Sequence, residues 1–411
     1  MKENKSTEDA KTAEEANRFK VKSTMRSYLG AIFLMAITAI GPGFLMQTTV
    51  FTQKSGASFG FVILASVLID IVVQINVWRI IVASGKRAQE IGNIVFSGLG
   101  YFISILIVMG GLAFNIGNIA GASLGLNVLF GTPIQAGAII SGIIALSIFC
   151  FKQVGEIMDK FVSTFGIVRI LLAIFVAIAA LPPVGEAVIK TFVPDQIDII
   201  ALITLVGGSV GGYITFSGGH RLLDSGIQGL KFIPEATRSA VTGILITGVM
   251  RVVLFLGALG VIVHGYFIDP ANPAASVFQA AAGDIGYKLF GIVIWSAGTT
   301  SVIGCAYTSV SFLKSFSKKI DEYYSKIIIG FIVFSTIVFV VVGQPVTVLV
   351  AVGTINGFIL PIALASILVG AYNKKIIGEY KHPVWMTVAG FLVVVIMGYM
   401  SINTFITKFL M

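Results

Sequence analysis

The sequence has little charge and little cysteine. Only 11% of its 411 residues are Asp, Glu, Lys or Arg, whereas 56% are hydrophobic. A soluble globular protein carries roughly 25% charged residues, so this composition excludes an ordinary soluble domain. The two cysteines, Cys150 and Cys305, lie in apolar segments without CxxC spacing. This argues against a disulfide pair and against a metal site built on cysteine.

Patterns typical of catalysis are also missing. No HExxH motif or paired carboxylate lies at a membrane-accessible position, and the Gly pairs lack the strand-to-helix context of a nucleotide-binding loop. We therefore expect a protein that is not an enzyme and has no cofactor. The loops between apolar segments are too short for a receptor or scaffold with large soluble parts.

What the sequence does contain is a series of apolar runs near 20 residues, the length that crosses a bilayer as a helix. We predict an all-α integral membrane protein with about eleven spans. They lie at roughly 28–51, 58–84, 97–124, 133–151, 161–182, 198–225, 241–264, 286–314, 325–343, 345–371 and 384–406.

The basic residues are distributed unevenly between the loops. With a cytoplasmic N-terminus, 21 of the 28 Lys and Arg residues fall on the cytoplasmic side, four fall outside and three lie within spans. This distribution follows the positive-inside rule. Residues 1–27 form a polar cytoplasmic tail with no apolar core, so no cleavable signal is expected. We predict a protein of the plasma (inner) membrane, in contact with the lipid bilayer, whose C-terminus lies outside.

Two apolar segments contain residues that interrupt helices. In "AITAIGPGFLMQ" the break is predicted at Gly41-Pro42-Gly43, and in "GYITFSGGHRLLD" it is predicted at Gly218-Gly219. Ile37–Pro42 aligns with Ile214–Gly219, which indicates a first five-helix repeat at 28–182 and an inverted second repeat at 198–371. Residues 183–197 form an outer linker, and 372–411 hold the eleventh helix and the C-terminus.

Broken helices at membrane depth need partners for their free backbone groups. In inverted-repeat transporters the substrate supplies some of them, whereas a simple proline kink or a channel pore is the alternative for this pattern. We predict a secondary active transporter that works by alternating access.

The segment "NIGNIAGASLGLNVLFG" (Asn115–Gly131) resembles the third span of the natural resistance-associated macrophage protein (NRAMP) family of divalent-metal transporters, approximately "DLAEVIGFAIGLNLLFG". "SFGF" (58–61), "AGTTSVIG" (297–304) and "LPIAL" (360–364) are similar to the same family. The resemblance covers about residues 28–405. It implies the leucine-transporter-like 5+5 fold with helices 1 and 6 broken.

The family's metal-site residues are absent at the matching positions. Its Asp-Pro-Gly-Asn reads Gly41-Pro42-Gly43-Phe44 here, and its Met-Pro-His reads Gly218-Gly219-His220. Its acidic pair in the third span aligns with Asn115 and Asn118. A divalent ion ordinarily needs negative ligands near the midplane, so we predict no metal site. Transport of Mn, Fe or Mg through a modified site is the alternative.

Glycine in both breaks lets backbone N–H groups approach an organic anion. We therefore predict a small organic carboxylate or an amino-acid-like solute. The gene neighbourhood of related proteins makes 5-oxoproline a specific candidate. The predicted substrate-binding residues are Thr38, Gly41, Gly43, Phe44, Gln47, Asn115, Asn118, Phe216, Gly218, Gly219 and His220.

Ionisable residues within spans are candidates for coupling or gating because their burial is costly. His220 is the predicted site of H⁺ coupling, with Arg221 and Asp224 nearby as a pair, and Asp70 is either a coupling residue or part of a structural ion pair. Thr299, Thr300 and Ser301 are the predicted Na⁺ site, or else small residues that allow close packing. Arg169 and Arg251 are equally consistent with a structural role or a gate. The sequence leaves the oligomeric state open.

Overall fold

The computed structural model describes residues 28–32, 39–151 and 168–409, and these residues contain helices and no strands. The all-α class is therefore confirmed. Residues 28–32 are helical, and the helices that follow are α1 Pro42–Ser55, α2 Phe59–Ser84, α3 Ala88–Val95, α4 Leu99–Phe130, α5 Ile134–Cys150, α6 Val168–Ala179, α7 Val184–Phe192, α8 Ile199–Ser209, α9 Ile214–Asp224, α10 Ile233–Val263, α11 Pro273–Ser311, α12 Lys318–Glu322, α13 Tyr324–Val342, α14 Pro345–Gly370, α15 Lys374–Ile377 and α16 Val384–Phe409.

Within the described residues, eight helical segments are long and apolar enough to cross a membrane, or nine if α6 and α7 count as one span. Eleven spans were predicted. The number differs for two reasons. Helices α1 and α2 form one continuous segment, Pro42–Ser84, and α5, with 17 residues, is shorter than the eight spanning segments. Each of the eleven predicted ranges nevertheless contains helix.

The outer linker at 183–197 contains a short helix. Helix α7 begins after Pro183, and its axis is bent by 103° from that of α6. It packs against α2, where Gly60 accommodates the side chain of Thr191. The division of the chain into two repeats at this linker stays a prediction.

The segment α8–α9 lies at the centre of the molecule. Its most apolar window is 89% buried, against 22% for the window of α13. Helix α8 packs against α14 and α2, and α9 packs against α2. Helix α8 starts at an N-cap, where the Asp198 carboxylate accepts a hydrogen bond from the Ala201 N–H at 3.0 Å. A central position for the second broken helix is what a binding site between repeats requires.

Candidate functional site

The first broken helix is interrupted beside Gly41. Ile40 and Gly41 are bent, and α1 starts at Pro42 with Gly41 as an extended N-cap that offers no side-chain cap. Proline suits this first helical position because it has no N–H to satisfy. The predicted break is therefore confirmed at this position. Helix α4 approaches closely here, since a Cβ at Gly121 would lie 2.1 Å from Pro42.

The second broken helix is interrupted at 210–213, earlier than predicted. Helix α8 ends at Ser209 and α9 begins at Ile214. Gly212 between them has φ +54°, and a Cβ there would lie 1.8 Å from Asn356 Oδ1. This segment needs glycine both for its backbone conformation and for the contact.

The predicted break at Gly218-Gly219 is wrong, because both residues lie inside the regular helix α9. Their small size serves packing against α2. A Cβ at Gly218 would lie 2.1 Å from the Trp78 ring, and one at Gly219 would lie 3.1 Å from Ile81. The Trp78 ring is itself fixed, since its Nε1–H donates to Thr215 O at 2.9 Å.

A small pocket lies between the first break and the end of α8. Its volume is about 10 Å³, close to the space of a single water molecule. The lining combines predicted residues with new ones: Ala39, Gly41, Gly43, Phe44, Gln47, Phe114, Gly117, Asn118, Gly208, Leu349 and Val352. None of these side chains carries a charge. The predicted residues brought together here are Gly41, Gly43, Phe44, Gln47 and Asn118.

Gln47 is oriented by one of its two polar atoms. Its Nε2–H donates to Leu349 O at 2.9 Å, and this contact fixes the orientation of the amide. Its Oε1 is buried without a hydrogen-bond partner, and a Cβ at Gly208 would lie 2.9 Å from it. The pocket therefore has a free acceptor for a ligand N–H group.

The remaining predicted binding residues lie elsewhere. Asn115 donates through Nδ2 to Ser335 Oγ at 3.0 Å on α13, and it does not line the pocket. Phe216 packs edge-to-face against Phe312 with ring centroids 5.9 Å apart. Thr38 lies outside the described residues. The predicted binding residues therefore do not form one site: some line the pocket, Asn115 contacts α13, and Phe216 contacts Phe312.

Two arginines, one half-buried and one buried, contact the broken helices. Arg169 of α6 donates through Nη1 to Ile40 O at 2.9 Å, at the first break. Arg251 of α10 donates through Nη1 to Ser209 Oγ at 3.1 Å, at the end of α8, and its guanidinium carbon lies 4.2 Å from the centre of the Phe44 ring. These contacts place positive charge beside both interruptions.

A second, larger cavity of about 470 Å³ adjoins α9. Its lining includes His220, Arg221 and Asp224, together with Arg87 and Lys314. Asp224 pairs with Arg87 of the α2–α3 turn, so the predicted partnership with Arg221 is wrong. This end of the bundle carries the basic loops and is called the basic end below.

His220 faces α3 at the basic end. It is 4% exposed, and its Nε2 accepts a hydrogen bond from the Ala88 N–H at 3.2 Å. A neutral imidazole that accepts at Nε2 carries its hydrogen on Nδ1, and His220 Nδ1 has no partner. His220 is therefore separated from the pocket lining at the first break.

The other predicted coupling residues occupy two places. Asp70 of α2 is 2% exposed and lies near Arg251 and Ser209. In α11 the hydroxyls of Thr299 and Thr300 donate within their own helix, to Trp295 O and Ser296 O, both at 2.8 Å. Ser301 is half-buried one position further on. Coupling by H⁺ or Na⁺ at these residues stays a prediction.

A resident metal centre was not predicted. In the described part of the chain, no group of three or more His, Cys, Asp or Glu side chains is placed to hold a metal ion. The polar ligands at the breaks are carbonyls and amides instead. Carboxylate, imidazole and thiolate groups are the stronger ligands for transition metals.

Sequence reasoning missed Gly208, Ser209 and Gly212. The sequence "GGSVGGY" (Gly207–Tyr213) was the available signal, since two glycine pairs flank its centre. The alignment of the two repeats instead favours the later glycines, Gly218 and Gly219.

Two interrupted helices that meet at a central pocket in an all-helical membrane protein are typical of the leucine-transporter-like fold of membrane transporters. Solved structures share the architecture. A manganese transporter of Eremococcus coleocola superposes with a TM-score of 0.70 at 16% identity, over 93% of this chain and 86% of its own. MhsT, solved in complex with L-phenylalanine, superposes with a TM-score of 0.60 at 17% identity, over 93% and 98%.

Sequence comparison gives the family. Residues 32–407 match the Nramp family, described as natural resistance-associated macrophage protein-like, and the chain belongs to it. The uncharacterized membrane protein YcsG of Bacillus subtilis (strain 168) is 61% identical over 92% of this chain and 94% of its own length. A membrane protein of Haemophilus influenzae is 57% identical over 92% and 96%. The divalent metal cation transporter MntH of Bacillus subtilis is 24% identical over 92% and 91%.

Proposed function

We propose that this chain is a secondary active transporter that works by alternating access and carries a small organic carboxylate or an amino-acid-like solute, with 5-oxoproline as the first candidate. The observation that carries this proposal is the charge at the broken helices. Arg169 contacts Ile40 at the first break, and Arg251 contacts Ser209 at the second. The pocket between them has an uncharged lining.

Electrostatics favours an anion at this place. Among the described residues, two guanidinium groups, the half-buried Arg169 and the buried Arg251, and one buried carboxyl group, Asp70, lie near the breaks. A dehydrated divalent cation would add two more positive charges at low dielectric. An organic anion instead offsets the surplus. The N-terminus of helix α1 at Pro42 adds partial positive charge, which also favours an anion.

A polar group of the pocket suits a solute that carries an N–H group in addition to its carboxylate. Gln47 Oε1 is a buried acceptor without a partner, and such an atom costs about 1–3 kcal/mol unless a ligand or water satisfies it. A lactam or amine N–H would meet this requirement. 5-Oxoproline combines a lactam with a carboxylate in one small molecule.

A divalent cation, Mn²⁺, Fe²⁺ or Mg²⁺, is the second candidate substrate. It is favoured by the names of distant relatives such as MntH and by the oxygens of Gln47 and Asn118 beside the first break. Magnesium keeps several of its waters and accepts such neutral oxygens more readily than a transition metal does.

Uptake by purified protein in liposomes tests the proposal. The assay compares labelled 5-oxoproline, a panel of amino acids, and Mn²⁺ and Mg²⁺. We expect saturable uptake of an organic acid that depends on a gradient of H⁺ or Na⁺, at rates far below those of a channel. Saturable Mn²⁺ or Mg²⁺ uptake with no uptake of any organic acid would overturn the proposal in favour of the second candidate.

The proposed topology places the basic end of the bundle in the cytoplasm, in the plasma membrane. The support is the excess of Lys and Arg in the loops at that end. The cavity that adjoins α9 would then open toward the cytoplasm.

A further inference from the structure

Arg251 contacts both broken helices. It projects from α10 and is 2% exposed. One nitrogen, Nη1, donates to Ser209 Oγ at the end of α8, and the guanidinium carbon lies 4.2 Å from the centre of the Phe44 ring on α1. Phe44 also lines the central pocket. A ligand bound to Arg251 would therefore contact the two elements that must move in alternating access.

The other two nitrogens of Arg251, Nε and Nη2, have no hydrogen-bond partner. Together they form one edge of the planar guanidinium, on which two parallel N–H groups match the two oxygens of a carboxylate. An unpaired buried donor costs about 1–3 kcal/mol, and more when it is charged. This unpaired edge therefore matches a carboxylate in charge and in hydrogen-bonding geometry.

Asp70 is a carboxyl group near Arg251, but it does not hydrogen-bond to the Nε and Nη2 edge. It is 2% exposed on α2, near Arg251 and Ser209. Its Oδ1 has no hydrogen-bond partner, just as Nε and Nη2 of Arg251 have none. Asp70 therefore interacts with the charge of Arg251 but leaves its Nε and Nη2 unpaired.

We propose that the Nε and Nη2 edge of Arg251 binds the carboxylate of the substrate and that Asp70 takes up one proton when it does. This inference rests on the proposed function and names its binding group. With the site empty, Asp70 is the counter-ion of Arg251. A bound carboxylate takes over that role and leaves the Asp70 carboxylate without a counter-ion in low dielectric, and a proton from solution then neutralises Asp70. One carboxylate and one proton then cross together.

Within the part of the chain that the structure describes, the groups that act on the charge of Asp70 are Arg251 of α10 and Ser209 of α8. The sole cation among them is the proposed ligand of the substrate, so the charge of Asp70 is balanced only while Arg251 is free. This arrangement couples the proton to the substrate without a second titratable group.

The first experiment separates the carboxylate from the rest of the substrate. Binding of 5-oxoproline and of its amide, 5-oxoprolinamide, is measured on wild type, Arg251→Lys and Arg251→Gln. We expect wild type to prefer the acid at least about ten-fold, the effect of one charge-assisted hydrogen bond. The preference should fall in Arg251→Lys, which keeps the charge but loses the bidentate edge, and vanish in Arg251→Gln.

A general loss of stability would not change this ratio of affinities, because both ligands are measured on the same protein. Arg79→Lys is the matched control. Arg79 is a half-buried arginine of α2 whose Nε and Nη1 donate to Tyr380 and Thr237, away from the pocket, so its substitution should leave the preference unchanged. An acid-to-amide ratio that is the same in wild type and both Arg251 variants would overturn the inference while leaving the proposed function standing.

The second experiment tests Asp70. In liposomes, an inward proton gradient should stimulate wild-type uptake of 5-oxoproline several-fold. Asp70→Asn should bind the acid more tightly, since Arg251 is then uncompensated, and its uptake should no longer respond to the gradient. Full proton stimulation in Asp70→Asn would overturn the role of Asp70. If wild type takes up none of the carboxylates tested, the proposed function and this inference fall together.

Discussion

At the residue scale, His382 shows how the protein keeps an imidazole neutral. Its Nε2 lies 2.8 Å from Asn76 Oδ1 and its Nδ1 lies 3.2 Å from the Tyr380 hydroxyl, which accepts a hydrogen bond from Arg79. Burial, followed by the nearby Arg79 guanidinium, lowers the pKa of His382 from 6.5 to about 4. These contacts join α2 to the loop that precedes α16.

We expect this histidine to make stability depend on pH. Between pH 6.5 and about 4 the unfolded chain binds a proton at His382 that the folded protein does not bind. The stabilisation is therefore fully present above pH 6.5 and is lost as the pH falls toward 4. Thermal-unfolding midpoints in detergent at pH 7.5 and pH 5 measure it. The drop should be smaller in His382→Gln than in wild type.

The control for this measurement is His264→Gln. His264 lies at the end of α10, where its Nδ1 contacts Gly260 O of the same helix, far in sequence from the network of His382. We expect His264→Gln to keep the wild-type difference between the two pH values. An equal flattening in both variants would contradict the assignment to His382.

His220 gives a second prediction at this scale. Its Nε2 accepts from the Ala88 N–H, so a proton added to the neutral ring would remove the acceptor of that hydrogen bond. We expect His220→Gln to reduce uptake of the organic acid but to keep its stimulation by a proton gradient. Uptake at several external pH values in liposomes checks this. Loss of the stimulation would restore His220 as the coupling residue that the sequence predicted.

At the scale of elements, the unwound segment after α8 depends on Gly212. A side chain there meets two obstacles, the φ of +54° and the Asn356 amide 1.8 Å from the new Cβ. Gly131, after α4, has a similar φ of +67° but nothing within 4 Å of the added atom. The two glycines therefore separate backbone strain from steric conflict.

We expect Gly131→Ala to cost about 1 kcal/mol through its backbone conformation alone. Gly212→Ala should cost a further 1–3 kcal/mol or so through overpacking of a filled interior and should abolish uptake, because Asn356 and the unwound segment must shift. Thermal-unfolding midpoints and liposome uptake of the two variants are the measurements. Equal loss in both would show that the contact with Asn356 is unimportant.

The same elements show what sequence can and cannot predict. The first break was predictable because Gly41-Pro42 has a local meaning at a helix start. The second was not, because the glycine pairs Gly211-Gly212 and Gly218-Gly219 look alike along the chain. Only their neighbours in space distinguish them: Asn356 crowds the first pair and Trp78 the second.

The site was predictable to a similar degree. Gln47 and Asn118 line the pocket, as expected from polar residues in broken or adjacent spans. The contacts of the arginines were beyond reach, since Arg169 and Ile40 are 129 positions apart and Arg251 and Ser209 are 42 apart. Tertiary packing, which sequence periodicity does not encode, decides those pairs.

At the scale of the whole molecule, the cavities are unequal. The central pocket of about 10 Å³ is too small for an organic solute, whereas the cavity at the basic end measures about 470 Å³. In alternating access, the binding site communicates with one side at a time. For the proposed carrier, the arrangement corresponds to a closed centre with an access cavity at the basic end.

Accessibility of single cysteines tests this arrangement together with the topology. The background replaces both natural cysteines by serine; Cys305 Sγ donates to Gly111 O at 3.1 Å, a role that a serine hydroxyl can keep. Thr308→Cys then places a thiol in the lining of the basic-end cavity. Gln53→Cys places one on an exposed position near the opposite end of the bundle.

With a membrane-impermeant maleimide, we expect Thr308→Cys to react in inside-out vesicles and Gln53→Cys in right-side-out vesicles. Addition of the transported acid should slow the reaction of Thr308→Cys, because substrate shifts the population toward the state closed at the basic end, and should change Gln53→Cys little. Reaction of Thr308→Cys from the outside only would show that the topology is the opposite of the one proposed. A rate that is equal from both sides and insensitive to every transported solute would instead indicate a pore that is open throughout, and a carrier mechanism would then be untenable.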